Sequence, residues 1–543
     1  MSTKTINKLL IGGFILAGIV GLFLRFYHID FGLPHSFYAD EPEIAEPAIK
    51  YTYAFKDIVS NGNWYKLIPV SYVYGTFPAY LFTAATMLFS KGANVVNFAF
   101  SKADLYVWLR SINALVSFLV VAGGTWLAYL MFKNKFIALI SFVLLSLNWK
   151  FIVHAHYLNQ DIFLTLLLIG CFIFLYKFSS RELSAKTTVI PASARLFTIL
   201  AGIFFGLAVG TKITALISVP LIFYVFMAKK EYRHLVVFSF IAFAAYIVTN
   251  PFSIIFADDF TFRIFQMLFK EGGLVFDSVD YGHFKYVFGL NAMLTAPILL
   301  FSIYGMYKTF KETKDKSFTI FLISNVLIYF VFYSIQSRRV DRWLLPILPI
   351  LIVFSAQGIY SFCKKTNKIL AAAILCVCLG VYLYYPTLLL SEFQRQTPKS
   401  AAYVWAQQNI TIAKSTSQPS TLVYTEEGLD PFSKLPGSNT VKMVVYESEN
   451  AQLIPPLDPR YFDYVVISSR PMDNFKRLPV VKKYPTWTQK WNTFENILGN
   501  PANFVQVKSF VLPTPNLIPL SNVYIYKNLK PIYLAPNAAN PTL

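Results

Sequence analysis

Two adjacent carboxylates, Asp40 and Glu41, stand in the stretch Pro34-His35-Ser36-Phe37-Tyr38-Ala39-Asp40-Glu41-Pro42, which has a proline at either end and several aromatics. A carboxylate fixed in a rigid turn can take the proton of an attacking hydroxyl as a general base. Neighbouring side chains of an extended turn point apart, so Asp40 and Glu41 are expected to do different jobs. A third carboxylate, Asp161, closes the run His154-Ala155-His156-Tyr157-Leu158-Asn159-Gln160-Asp161. It opens an apolar stretch, where simple helix capping is the competing role. Cations occur at Gly210-Thr211-Lys212 and at Ser337-Arg338-Arg339-Val340-Asp341-Arg342-Trp343. Lysine and especially arginine suit phosphate oxygens. For Lys212 the plain alternative is snorkelling at a membrane boundary. For His154 and His156 it is ordinary packing, since two histidines at i, i+2 on a loop are a poor metal signature.

What surrounds these residues is largely apolar. Of 543 residues 55% are hydrophobic and only 14% charged, with 52 Phe and 34 Tyr. A water-soluble domain cannot hide that much apolar surface, and windows of about 20 apolar residues recur, long enough to cross a bilayer. The chain therefore reads as a polytopic α-helical membrane protein. Its formal charge of +20 is spread in small clusters between the apolar runs, which is how topology determinants look and not how a nucleic-acid surface looks. Four cysteines (171, 363, 376 and 378) lie in or beside apolar runs without ligand spacing or a disulfide framework. The first apolar run follows Lys4 and Lys8, lacks a small-residue cleavage site and reads as a retained helix.

Eleven membrane helices are expected, near 9–27, 106–132, 136–153, 160–178, 196–212, 214–228, 235–253, 288–307, 318–335, 343–362 and 368–387. Charge decides the doubtful segment 74–90. Without it as a span, Lys133 and Lys135, Lys229 and Lys230, Lys308 to Lys316, and Lys364 and Lys365 all fall on the side of Lys4 and Lys8, as the positive-inside rule requires. Residues 74–90 are thus expected to form an interfacial or re-entrant helix. The N-terminus is then cytoplasmic, in a multi-pass plasma-membrane protein, and residues 1–390 form the membrane domain. An odd number of spans puts residues 391–543 on the outer face as a small extracytoplasmic α/β domain. Its expected elements are a capped helix from Thr397 to Gln408 and strands near 421–424, 441–446, 464–468, 504–510 and 523–526.

On this topology Asp40, Glu41, Asp161, Lys212, Arg339 and Arg342 share the outer face. Carboxylates that orient or deprotonate an acceptor, beside cations that stabilise a phosphate leaving group, are equipment for transferring a group from a lipid phosphate. A lipid or glycan flippase is the competing class, although such proteins usually show internal repeats and midplane charges, and neither is apparent here. A membrane protein without catalysis, working through its exposed domain, is a third.

In these residues the chain resembles the GT-C-fold glycosyltransferases of the protein O-mannosyltransferase and aminoarabinose transferase type, glycosyltransferase family 39 and relatives. The matching features are Asp40-Glu41 after the first helix, Tyr74-Gly75-Thr76-Phe77-Pro78-Ala79-Tyr80, Arg110, the stretch from His156 to Asp161, Gly210-Thr211-Lys212, and Arg342-Trp343-Leu344-Leu345-Pro346 with Pro349. They cover roughly residues 5 to 390. The aminoarabinose branch carries a Lys in the segment matching 74–80, and this chain has none there. The resemblance implies a polyprenyl-phosphate sugar donor, inversion at the anomeric carbon, a protein or lipid acceptor, and Asp40 as catalytic base. Glu41 and Asp161 are expected to shape the site, Lys212, Arg339 and Arg342 to hold the donor phosphate, and His156, Tyr74 and Arg110 to line it. No organic cofactor is implied, and metal use stays open.

Overall fold

A computed structural model describes residues 3–35, 40–69, 74–89, 102–180, 192–266, 285–336, 340–410, 421–426, 438–443 and 456–532, with a few single residues between them. In chain order the membrane part contains α1 (Thr3–Phe26), α2 (Glu41–Asn61), α3 (Phe77–Phe89), α4 (Lys102–Phe132), α5 (Lys135–Leu147), α6 (Trp149–Ala155), α7 (Gln160–Ser179) and α8 (Ala192–Val209). Then come α9 (Val219–Ala228), α10 (Tyr232–Thr249), α11 (Phe252–Ile255), α12 (Ala257–Phe265), α13 (Lys285–Leu294), α14 (Ala296–Glu312), α15 (Ser317–Ser334), α16 (Leu348–Lys365) and α17 (Lys368–Phe393). Among the described residues seven helices are long and apolar enough to cross a membrane, or nine if the bent pairs α5–α6 and α13–α14 each count as one. The shorter apolar helices α8, α9 and α3 fall on the expected segments 196–212, 214–228 and 74–90.

Specific polar residues cause the bends and crossings. Asn148 ends α5, and its side-chain oxygen caps α6. Its amide donates to Met293 O at 3.0 Å and to Tyr382 Oη at 3.0 Å, which fixes a 51° bend. Arg25, fully buried near the end of α1, donates to Ser117 Oγ (3.0 Å), Ser146 O (3.0 Å) and Leu145 O (3.2 Å) and so ties α1 to α4 and α5. Helix α16 is the centre of the bundle and is almost wholly buried. It crosses α14 where Gly305 and Gly358 face each other's backbones, a close approach that only small residues permit.

The expected acidic turn proves to be a helix start. Asp40 is the N-cap residue of α2 with helical φ/ψ (−91°, −9°), and Glu41 and Pro42 begin the helix. Acids and proline in a first turn are ordinary N-terminal signals.

The C-terminal part is a small α/β domain. A five-stranded sheet has the order β2-β1-β3-β5-β4, with β1 (Thr421–Glu426), β2 (Ser438–Met443), β3 (Tyr464–Ser468), β4 (Phe504–Phe510) and β5 (Val523–Asn528). β1 pairs in parallel with β2 and β3, and β5 is antiparallel to β3 and β4. α18 (Pro398–Asn409), capped by Thr397, covers one face through Ala402, Tyr403 and Ala406. α19 (Ser469–Asn474), α20 (Leu478–Lys483) and α21 (Pro485–Leu498) cover the other through Phe475, Trp491 and Phe494.

This domain sits on the Asp40 end of the bundle. The His35 and Tyr403 rings lie 4.8 Å apart, and Phe393 stacks on His156 at 3.8 Å. The Glu392 carboxylate accepts Leu517 N (2.7 Å) and Ile518 N (3.0 Å), drawing 517–520 into an apolar cluster with Leu24, Phe31 and Trp149. From the 251–287 connection, Phe276 is buried against Phe475 and Tyr484 of the sheet domain.

Candidate active site

Four helix ends and a strip of extended chain bring the sequence-selected residues together. Asp161 stands in the first turn of α7, but the cap of that helix is Asn159, whose side chain accepts Asp161 N at 2.6 Å. Capping therefore does not use Asp161. Its Oδ1 accepts from Lys212 Nζ at 2.6 Å, and its Oδ2 lies 3.4 Å from Arg342 Nε. Arg342 Nη2 in turn donates to Asp40 Oδ2. The result is an unbroken alternation of charge, Asp40–Arg342–Asp161–Lys212, at one end of the bundle. The Asp161–Lys212 pair is nearly closed from solvent, with side chains 5% (Asp161) and 9% (Lys212) exposed, while Asp40 retains 25%. Tyr74 Oη donates to the same Asp40 oxygen at 3.3 Å.

Backbone contacts hold Tyr74 there. Gly75 N donates to Thr211 O (3.0 Å) and Phe77 N to Gly210 O (3.2 Å). Thr76 N donates to Asn250 Oδ1 at 2.9 Å. A Cβ at Gly75 would stand 2.0 Å from Gly210 O, so this position requires glycine. The segments matching 74–80 and 210–212, picked out separately by sequence, are thus one assembly that places Tyr74 and Lys212 side by side. A narrow cavity behind it is walled by Tyr72, Tyr74, Val209, Tyr246, Asn250 and Phe260.

Glu41 lies outside the alternating chain. Its carboxylate takes Arg110 Nε (2.8 Å) and Nη2 (2.7 Å) and also Leu158 N (3.0 Å). Both side chains of this pair are fully buried. Arg110 spends its remaining donor on Ile29 O (3.0 Å) and Phe31 O (2.9 Å). The pair clamps the start of α2, the segment that follows α1 and the loop before α7 onto α4. Side chains at 40 and 41 do diverge, one to Arg342 and the other to Arg110.

His156 has its Nδ1 2.8 Å from Ile152 O and its Nε2 2.7 Å from Tyr27 O, with Phe393 against its face. These contacts are structural, and none reaches Asp40, Asp161, Lys212 or Arg342. Arg339 lies outside the described residues, as do Ser337 and Arg338. Among the described residues no three His, Cys, Asp or Glu gather as a metal-binding group.

Sequence reasoning missed three supports. Asn113 Nδ2 donates to His154 O (2.7 Å) and Tyr157 O (2.6 Å) and shapes the loop before Asp161. Lys150 Nζ lies 4.0 Å from Asp341 and 4.3 Å over the Trp149 ring, beside Arg342. Tyr286 Oη accepts Val340 N at 3.0 Å. A polar residue within a long, mostly apolar helix, as Asn113 is, was the available signal.

The family model for dolichyl-phosphate-mannose-protein mannosyltransferases (PMT) matches residues 15–233, which hold Asp40, Glu41, Tyr74, Arg110, His156, Asp161 and Lys212 but not Arg342. No curated protein matches the chain by sequence. By structure it is similar over 96% of its length to ArnT from Cupriavidus metallidurans bound to undecaprenyl phosphate, covering 98% of that chain at 12% identity and a TM-score of 0.55. An oligosaccharyltransferase from Archaeoglobus fulgidus in complex with Zn and sulfate is similar over 84% of this chain and 68% of that one, at 15% identity and a TM-score of 0.51. The oligosaccharyltransferase AglB from the same organism, in complex with an inhibitory peptide and a dolichol-phosphate, is similar over 96% and 74%, at 13% identity and a TM-score of 0.50. With its helical membrane bundle, its C-terminal sheet domain and the PMT match over the first half of the bundle, this chain has the GT-C fold.

Proposed function

We propose that the protein transfers a sugar from a polyprenyl-phosphate donor to a hydroxyl of a protein or lipid acceptor on the outer face of the plasma membrane. The observation that carries this reading is the Asp40–Arg342–Asp161–Lys212 chain at the end of the bundle. The cations of the chain are each paired with a carboxylate, and a donor phosphate enters by exchanging for Asp40 on Arg342 while Asp161 stays between the two cations. Arg342 and Lys212 then hold the phosphate oxygens, and Asp161 keeps both cations aimed. Drawn away from Arg342, the partly exposed Asp40 is free to accept a proton. The acceptor oxygen attacks the anomeric carbon, its proton passes to Asp40, and the bond from that carbon to the phosphate oxygen breaks. Polyprenyl phosphate leaves with its added negative charge held by Lys212 and Arg342, where preorganised cations lower the barrier. A single displacement of this kind inverts the anomeric centre. Glu41 and Arg110 are positioning residues in this scheme, and Tyr74 orients the Asp40 carboxylate.

The test is transfer or hydrolysis by purified protein in reconstituted membranes, with a panel of polyprenyl-phosphate hexoses and pentoses. Asp40→Asn is expected to lose about 10²–10⁴-fold in rate, the usual contribution of general-base catalysis, while still binding donor. Asp40→Asn working at the wild-type rate on the same donor would overturn the assignment.

A further inference from the structure

We propose that a groove at the opposite end of the bundle binds one acidic phospholipid. It lies between α1, α4 and α5, with a volume of about 630 Å³. Three residue pairs define its length: Asn7 and Phe14, Tyr129 and Ala122, Lys135 and Phe142. Each pair is seven residues apart on a helix, or about 10 Å at 1.5 Å per residue. The first member of each pair is polar and the second apolar. The groove is therefore a slot graded from a polar mouth at the helix ends to an apolar floor, the order in which a headgroup and an acyl chain meet a membrane protein.

Charge at the mouth selects the headgroup. Lys135 Nζ reaches Asn7 Oδ1 at 3.4 Å, Lys133 Nζ lies 5.9 Å over the Tyr129 ring, and Lys177 Nζ lies 4.9 Å over the Trp126 ring. Among the described residues none of these three lysines forms an ion pair. Acids at the same end, Asp315 and Glu312, are taken by Lys229 and Lys308. A zwitterionic headgroup brings an ammonium of its own beside the lysines, whereas an acidic phosphodiester brings a net negative charge that offsets one of them. Electrostatic attraction of this kind is worth about a five-fold preference per lysine near a membrane surface. Trp126 and Tyr129 line the groove and are 53% and 42% exposed in the bundle, so they face whatever fills it.

Trp126 provides the readout. The full-length protein is placed in phosphatidylcholine nanodiscs doped with either phosphatidylglycerol or phosphatidylcholine brominated in the acyl chains. Emission from Trp126 is taken as the difference between wild type and Trp126→Phe. Brominated phosphatidylglycerol is expected to quench it at a several-fold lower mole fraction than brominated phosphatidylcholine, and the preference is expected to shrink in Lys133→Gln/Lys135→Gln. Equal quenching by the two lipids would overturn the proposal, as would a preference unchanged in the double variant. So would emission that neither lipid quenches, the result if a second copy of the chain fills the groove.

Discussion

The Glu41–Arg110 pair gives the sharpest division between framework and chemistry. Glu41→Gln keeps the shape of the side chain but removes its charge. An amide oxygen in the place of Oε1 can accept two of the three N–H groups now pointed at the carboxylate, from Arg110 Nε and Leu158 N, but not the third, from Arg110 Nη2. Its NH₂ group then faces a donor. With both partners fully buried, removing one charge of the pair should cost about 3–5 kcal/mol. At about 2–4 °C per kcal/mol for a sizeable domain, the midpoint should fall by roughly 6–20 °C. Arg110→Met should cost a similar amount. The double variant Glu41→Leu/Arg110→Met should be less destabilised than the sum of the singles, because it strands no charge, though Ile29 O, Phe31 O and Leu158 N lose partners at about 1–3 kcal/mol each. The assay is the monodisperse fraction of detergent-solubilised protein after heating, measured beside transfer rate. A Glu41→Gln protein with the wild-type midpoint and a rate loss of about 10²-fold or more, the scale of a lost general acid or base, would refute the framework role and put Glu41 in the reaction.

Three further outcomes are expected. Lys212→Ala and Arg342→Ala should each weaken donor binding roughly ten-fold or more, since a hydrogen bond to a charged group contributes about 1.5–3 kcal/mol; unchanged donor affinity in both variants would reject the phosphate assignment. Gly75→Ala should lift the 74–77 strip from Gly210 and Thr211 and destabilise by roughly 2–5 kcal/mol through overpacking and two lost backbone hydrogen bonds; a midpoint equal to wild type would show that the strip yields. Finally, a single cysteine at the exposed Asn496 in a cysteine-free chain should react with an impermeant maleimide from outside intact cells; reaction from the cytoplasmic side alone would reverse the topology.

Much of the fold was legible because its signals are local. Apolar runs marked the bundle helices, Thr397-Pro398 marked the start of α18, and β-branched and aromatic runs marked all five strands, with β2 beginning three residues earlier than expected. Helix α2 escaped notice because its apolar content is modest and Pro47 interrupts it, although Glu41 and Pro42 were a readable start. Helices α19 and α20 were missed because each is only six residues long, and α21 because polar residues outnumber apolar ones along it. At the site, residue types singled out Asp40, Asp161, Lys212 and Arg342, but pairing is long-range information. Nothing along the chain says that Glu41 meets Arg110, 69 residues away, or that Arg342 spans Asp40 and Asp161. His156 shows the converse: a residue of catalytic type whose ring nitrogens are both directed at backbone carbonyls.

The return of 517–520 to the bundle limits how modular this protein is. Ile518 is buried beside Leu24, Phe31 and Trp149, and the Glu392 carboxylate holds its backbone. Phe276 makes the reciprocal insertion, from the membrane half into the core of the sheet domain. The two halves are therefore spliced at two places besides the covalent joint near residue 390. Excising the sheet domain would bare an apolar scar on the bundle next to His156 and leave Glu392 without its amides. A chimaera exchanging this domain with that of another GT-C protein would have to import a matching 517–520 loop and keep a partner for Phe276. Recombination between such chains is thus confined to joints that respect three seams at once, so the C-terminal domain travels with its own bundle.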